Sequence, residues 1–208
     1  TVNVNTTAGF VVGQYTTPSG SAAVRTVGHG LGGALDMLFI KNQASGHWAV
    51  WHNALGNEYL RLNATDAKTS GGTETNSLWN ATLPSASSTT FSIGTNSDVN
   101  GNAATFTFYG FRAIAGYSAF GSYEGNDANN GPYVYLGFKP AFLMVKNIDA
   151  TGGWPMYDNA RTPGNPRDLL SNGFKLRDDQ AYVNDSNTYL YMAFAEYPFA
   201  GTTPAPAR

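Results

Sequence analysis

Apolar and polar residues along this chain alternate with period two over short windows, and hardly any window places apolar residues at i, i+3, i+4 and i+7. Phe10-Val11-Val12-Gly13-Gln14-Tyr15 reads as a strand, closed by the turn signal Pro18-Ser19-Gly20. Leu35-Asp36-Met37-Leu38-Phe39-Ile40 is almost continuously apolar, the pattern of a strand covered on both faces. His47 to His52, Tyr59 to Leu62 and Thr105 to Tyr109 alternate, with Gly, Asn, Ser and Thr clusters between them. Short strands with polar turns and no long helical segment predict an all-β chain, an antiparallel β-sandwich of jelly-roll or lectin-like type.

The pattern occurs twice. Gly13-Gln14-Tyr15 returns as Gly121-Ser122-Tyr123, and Leu38-Phe39-Ile40-Lys41-Asn42 returns as Leu143-Met144-Val145-Lys146-Asn147. Gly46 to Asn53 matches Gly152 to Asn159, and Phe91-Ser92-Ile93 with Val99-Asn100 matches Phe174-Lys175-Leu176 with Val183-Asn184. These matches predict a first repeat over 1–115, carrying an insertion at about 54–90, and a second over 116–200. Residues 201–208, rich in Thr and Pro, predict an extended tail. Each copy could close its own small sandwich, or the two could pair to close a larger one; the short, partly apolar junction at Ala113 to Tyr117 favours intimately packed halves.

Composition narrows the function. Among 208 residues there is no Cys, which excludes disulfides and thiolate metal sites. Net charge is -2 with no run of Lys or Arg, which argues against a phosphate-tracking nucleic-acid binder. Leu35 to Ile40, among the longest apolar stretches, is too short for a membrane-spanning helix. No signal peptide is visible, and a start at Thr1 is compatible with removal of upstream residues.

Candidate chemistry is sparse. His29, His47 and His52 do not form a zinc pattern, because the second copy has Gly153 and Asp158 where the first has His47 and His52. A glycosidase needs two facing carboxylates roughly 5–9.5 Å apart; Glu58, Glu74, Asp158, Asp168 and Glu196 are available, but nothing pairs any two of them. Asp178, Asp179 and Asp185, and Glu124 with Asp127, Asn129 and Asn130, have calcium-type oxygens, yet polar turns account for them better. No catalytic residue, cofactor or metal is expected. The aromatics are more informative. Period two puts Trp48 and Val50 on one face and Trp51 and Asn53 on the other, with Trp154 and Met156, then Tyr157 and Asn159, matching them. Taking Trp48 and Trp154 as core leaves Trp51 with Asn53, and Tyr157 with Asn159, as outward ring-and-amide pairs suited to a sugar. Trp79, in the insertion, is the other candidate. Tyr189 and Tyr191 are expected opposite the core residues Leu190, Met192 and Phe194.

Gly137-Phe138-Lys139-Pro140-Ala141-Phe142-Leu143-Met144-Val145-Lys146, Ser171 to Leu176 and Tyr189 to Glu196 together resemble a duplicated C-terminal domain of uncharacterised function in bacteriophage tail-fibre-like virion proteins. The resemblance covers nearly the whole chain and supplies no catalytic residues. It implies a non-enzymatic virion surface protein, a distal tail-fibre or receptor-binding domain adhering to host surface glycans. Expected partners are other virion proteins, further copies of the chain with a trimer favoured, and a host glycan, with neither nucleic acid nor membrane insertion. A capsid or tail decoration domain that contacts only virion proteins is the alternative, and a glycan-cleaving tail enzyme is the second.

Overall fold

The computed structural model describes residues 1–20, 23–72, 77–79, 84, 87–160 and 167–198. Two compact units divide the chain: Thr1–Ala64 with Lys68–Arg112, and Thr65–Ala67 with the chain from Ala113 onward. Every strand pairing among the described residues is antiparallel. The fold is all-β, as the period-two pattern predicts. The tail at 201–208 and Glu74 lie outside the described residues.

In the first unit, strands β1 (Val2–Asn5), β2 (Phe10–Thr16), β4 (Met37–Asn42), β5 (Trp48–His52), β6 (Glu58–Arg61), β7 (Thr69–Ser70) and β9 (Thr105–Phe111) form one sheet in the order β1-β2-β9-β4-β5-β6-β7. Strands β3 (Arg25–Gly28) and β8 (Thr90–Ile93) form the second. Alternate residues of both sheets enter one core: Val11, Leu38, Ile40, Trp51, Phe106 and Phe108 from the large sheet, Phe91 and Ile93 from the small. Fully burying one such side chain contributes about 1.5–3 kcal/mol. Strand β4 is covered on both faces as expected, Met37 and Leu38 being 1% and 0% exposed.

The second unit repeats the plan. Strands β10 (Ser118–Glu124), β12 (Pro140–Asn147), β13 (Met156–Asp158) and β16 (Thr188–Ala195) pair in the order β10-β16-β12-β13. Strands β11 (Tyr133–Tyr135), β14 (Arg167–Leu170) and β15 (Gly173–Leu176) pair in the order β11-β15-β14. The order β2-β9-β4-β5 thus corresponds to β10-β16-β12-β13, and β3-β8 to β11-β15. Among the described residues, β1, β6 and β7 have no counterpart in the second copy and β14 has none in the first; β6 and β7 fall within 54–90, where the sequence places an insertion. The second core draws Tyr123, Leu143, Val145, Tyr157 and Tyr189 from the larger sheet and Val134, Phe174 and Leu176 from the smaller.

Two face assignments are corrected. Ala49 and Trp51, rather than Trp48, point into the first core, because β4 pairs Leu38 with Trp51 and Ile40 with Ala49. Tyr189 and Tyr191 likewise face the second core, while Leu190, Met192 and Phe194 lie on the other side of β16. Period two states which residues share a face; it does not state which face is inward when both are apolar.

Candidate functional site

Of the five residues expected to bind ligand, the three aromatic ones are buried. Trp51 is 0% exposed and its Nε1–H donates to Gly56 O at 2.8 Å. Trp79 is also 0% exposed, with Nε1–H donating to Glu58 O at 3.2 Å. Tyr157 packs in the second core opposite Leu143, as Trp51 packs opposite Leu38. Asn53 and Asn159 are exposed, but Asn53 Nδ2 donates to Asp36 Oδ1 at 2.8 Å, and the ring expected beside each amide, Trp51 or Tyr157, is buried. The two ring-and-amide pairs are therefore not surface platforms. A Trp in an insertion that is folded under its own sheet needs both its rings packed and its N–H bonded, and Trp79 has both.

The repeated motifs have a structural explanation. Gly13 lies directly opposite Phe108, and a Cβ there would come within 2.5 Å of the Phe108 ring; Gly121 lies opposite Tyr191, and a Cβ would meet its hydroxyl at 2.6 Å. Each glycine leaves room for a cross-strand ring. The tyrosine two residues later closes the sandwich: Tyr15 O–H donates to Val99 O at 2.6 Å, and Tyr123 O–H to Val183 O at 2.7 Å. Tyr15 stacks on Phe106 at 5.0 Å and Tyr123 on Tyr189 at 5.2 Å. Asn100 and Asn184, next in the motif, are buried and donate to loop carbonyls: Asn100 to Ala23 and Gly94, Asn184 to Ala128 and Asp178. Lys41 Nζ donates to Asn42 O and Ser45 O, while Lys146 Nζ donates to Asn147 O and Thr65 O. Burial lowers Lys146 to about 8, against the opposing influence of Asp66.

One difference between the copies lies on the outer face of the small sheet. Val27 and Val134 are equivalent, each paired with the core phenylalanine Phe91 or Phe174. On either side of Val27 stand Thr26 and Gly28; on either side of Val134 stand Tyr133 and Tyr135, 43% and 68% exposed. Tyr133 O–H donates to Asn172 Oδ1 at 2.6 Å. Gly173, opposite Tyr135, has no space for a side chain, since a Cβ would strike Val134 O and sit 3.0 Å from the Tyr133 hydroxyl. Lys175, opposite Tyr133, donates through Nζ to Gly131 O at 2.7 Å, and beyond it Arg177 Nε pairs with Asp168 Oδ2 at 2.6 Å. This surface combines two exposed rings, an exposed amide and hydroxyls, and among the described residues the nearby cations Lys175 and Arg177 each hold a protein acceptor. Sequence reasoning missed it. The signal was present in the alternation Tyr133-Val134-Tyr135 set against Thr26-Val27-Gly28.

The model of a family described as a domain of unknown function, DUF7483, matches residues 1–167 and, in a second match, residues 163–198. The chain belongs to this family. The match assigns DUF7483 no activity, and the sequence resemblance holds at that level, a domain of unknown function spanning most of the chain. No curated protein and no solved structure matches the chain significantly.

Other candidate chemistry in this DUF7483 chain is dispersed. Glu58 lies 3.4 Å from Lys68, Asp168 pairs with Arg177, and Glu196 lies 2.7 Å from Lys139. Asp158 Oδ1 accepts from the Ala160 N–H at 3.0 Å. Asp178 and Asp185 accept through Oδ1 from the N–H groups of Gln180 and Ser186, the turn role expected of them. His52 Nδ1 accepts from Ala54 N–H at 3.1 Å, capping a short 3-10 turn at Asn53–Leu55, and His29 Nδ1 accepts from Leu31 N–H at 3.3 Å. Among the described residues, no three His, Asp or Glu side chains come together as a metal site. A polar cleft of about 540 Å³ in the first unit is lined by residues 42–46, 97–98 and 101–105. Its single carboxylate, Asp98, accepts from His47 N–H at 3.2 Å and lies 3.8 Å from Arg61.

Proposed function

We propose that this DUF7483 chain is a non-enzymatic adhesion domain of a phage virion, at the distal end of a tail fibre, that holds neutral glycans on the host surface. The observation that carries the reading is the pair of exposed tyrosines on β11, placed on one copy of a scaffold whose repeated Gly, Tyr and Asn positions serve packing and loop tethering. Flat rings meet the C–H face of a sugar, and amides and hydroxyls meet its hydroxyl groups. The low charge of the chain, 12% Asp, Glu, Lys and Arg, suits an uncharged ligand. The virion setting is supported by the resemblance of residues 137–146, 171–176 and 189–196 to phage fibre domains. Single sites of this kind are weak, and a trimer would raise their avidity without new contacts.

Met156, 52% exposed on β13, favours a second reading, in which the chain packs against other virion proteins through apolar contacts. A broad glycan array probed with the intact chain, displayed in multivalent form, separates the two. The adhesive function predicts salt-insensitive binding to neutral glycans; an empty array, together with density placing the domain flat on the particle, would refute it.

A further inference from the structure

A sugar-binding ring gains affinity when it is held still before the ligand arrives, because less side-chain freedom is lost on binding. Tyr133 meets that condition: its hydroxyl is bonded to Asn172 Oδ1 at 2.6 Å, and it reaches there over Gly173, where no side chain intervenes. With Oδ1 accepting this bond, the Asn172 amide directs its donor group, Nδ2 with two hydrogens, elsewhere, and Asn172 is exposed. Tyr135, two residues along β11, presents a second and freer ring on the same face. Desolvation first, and Tyr135 second, raise Tyr133 above the ordinary phenol value, so its hydroxyl remains a donor at neutral pH.

The nearby charges define the ligand class. Among the described residues, Arg177 is neutralised by Asp168 and Lys175 Nζ is held by Gly131 O, which leaves one ammonium charge beside the rings and no pair of cations to clamp a carboxylate or sulfate. We propose that the outer face of β11 and β15 is a subsite for a neutral pyranose, whose ring lies on Tyr133 beside Tyr135 and whose hydroxyls accept hydrogen bonds from the Asn172 amide. The subsite deepens, and rests on, the adhesive function above. The first copy, with Thr26, Gly28, Thr90 and Ser92 at the matching positions, has no such ring, so a chain carries one subsite of this kind rather than two.

The test titrates the intact chain, by calorimetry and by amide chemical shifts, with cellohexaose, mannohexaose and galactohexaose, using a galacturonate hexamer as the anionic comparator. Wild type should bind at least one neutral hexamer, with shifts centred on residues 133–135 and 172–175. Tyr133→Ala should weaken binding by about tenfold or more. Tyr135→Ala, on a side chain that packs little, should weaken it by about threefold or more, which keeps the test decisive if Tyr133→Ala disturbs folding. Asn172→Asp, which retains the acceptor for Tyr133 but removes the outward donors, should lower affinity with the melting temperature unchanged. Binding that survives within about twofold in both tyrosine variants overturns the subsite and leaves the adhesive function standing. Preference for the galacturonate overturns the neutral class, and no binding of any hexamer counts against the subsite and the adhesive function together.

Discussion

Asn184 is the best place to measure what the repeated motif contributes to stability. It is 0% exposed, and its side chain joins three segments of the second unit. Oδ1 accepts from Asn126 N–H at 3.0 Å, while Nδ2 donates to Ala128 O and Asp178 O at 2.8 Å each and to Asn126 Oδ1 at 3.1 Å. Asn184→Ala removes the partner of one backbone N–H and two backbone carbonyls. At about 1 kcal/mol per net hydrogen bond, with more where the abandoned group stays dry, the cost is about 3 kcal/mol. Asn100, its equivalent, donates to two carbonyls, Ala23 O at 2.8 Å and Gly94 O at 2.7 Å, so Asn100→Ala should cost about 2 kcal/mol. Asn184→Asp should be no better than Ala, since it points a carboxylate oxygen at the carbonyls of Ala128 and Asp178. Urea unfolding, with hydrogen exchange read separately on 118–124 and 188–195, gives the loss and locates it. A loss below about 0.5 kcal/mol for Asn184→Ala, the range of ordinary surface changes, or a larger loss at Asn100, would refute the tethering role.

The remaining predictions follow from packing and from one buried amine. Trp51→Ala should cost about 3–5 kcal/mol, whereas Trp48→Ala, half-buried and stacked on Tyr109 at 6.1 Å, should cost much less; equal losses in thermal melts would mean the face assignment is wrong. Gly13→Ala and Gly121→Ala should each lose about 1–3 kcal/mol by forcing a Cβ onto the opposite ring, and calorimetry showing neutral substitutions would refute the close-approach argument. Lys146, 0% exposed and lowered to about 8, is deprotonated in the folded chain before the unfolded chain loses its proton near 10.5. The unfolded state therefore binds more protons between those values, and stability rises with pH through that window by on the order of 3 kcal/mol. Lys146→Met should flatten the rise between pH 8 and 10, and an unchanged slope in urea titrations would exclude Lys146 as its source.

Much of the fold was legible because strand formation leaves a local trace. The alternations at Phe10 to Tyr15, His47 to His52 and Thr105 to Tyr109 became β2, β5 and β9 within a residue or two. The internal matches were legible for a related reason: Gly13 and Gly121, Tyr15 and Tyr123, Asn100 and Asn184 each answer one geometric demand that both copies make. The candidate site was not legible. Trp51 and Tyr157 looked like platforms because aromatic rings suit either a core or a sugar, and residue type alone does not distinguish them.

Period two, the turn residues and the doubled motif determined by themselves that the chain is built from short antiparallel strands in two related halves. Those are properties of neighbouring residues, and a strand of five to eight residues carries them in its own side chains. Which face of β5 turned inward, and hence whether Trp48 or Trp51 was buried, was decided by the pairing of Leu38 with Trp51. The same holds for Tyr133: only tertiary structure set its ring across Gly173 and against Asn172, residues about forty positions away in the chain. Burial is a relation between distant segments, so it appears only when the sheets are assembled.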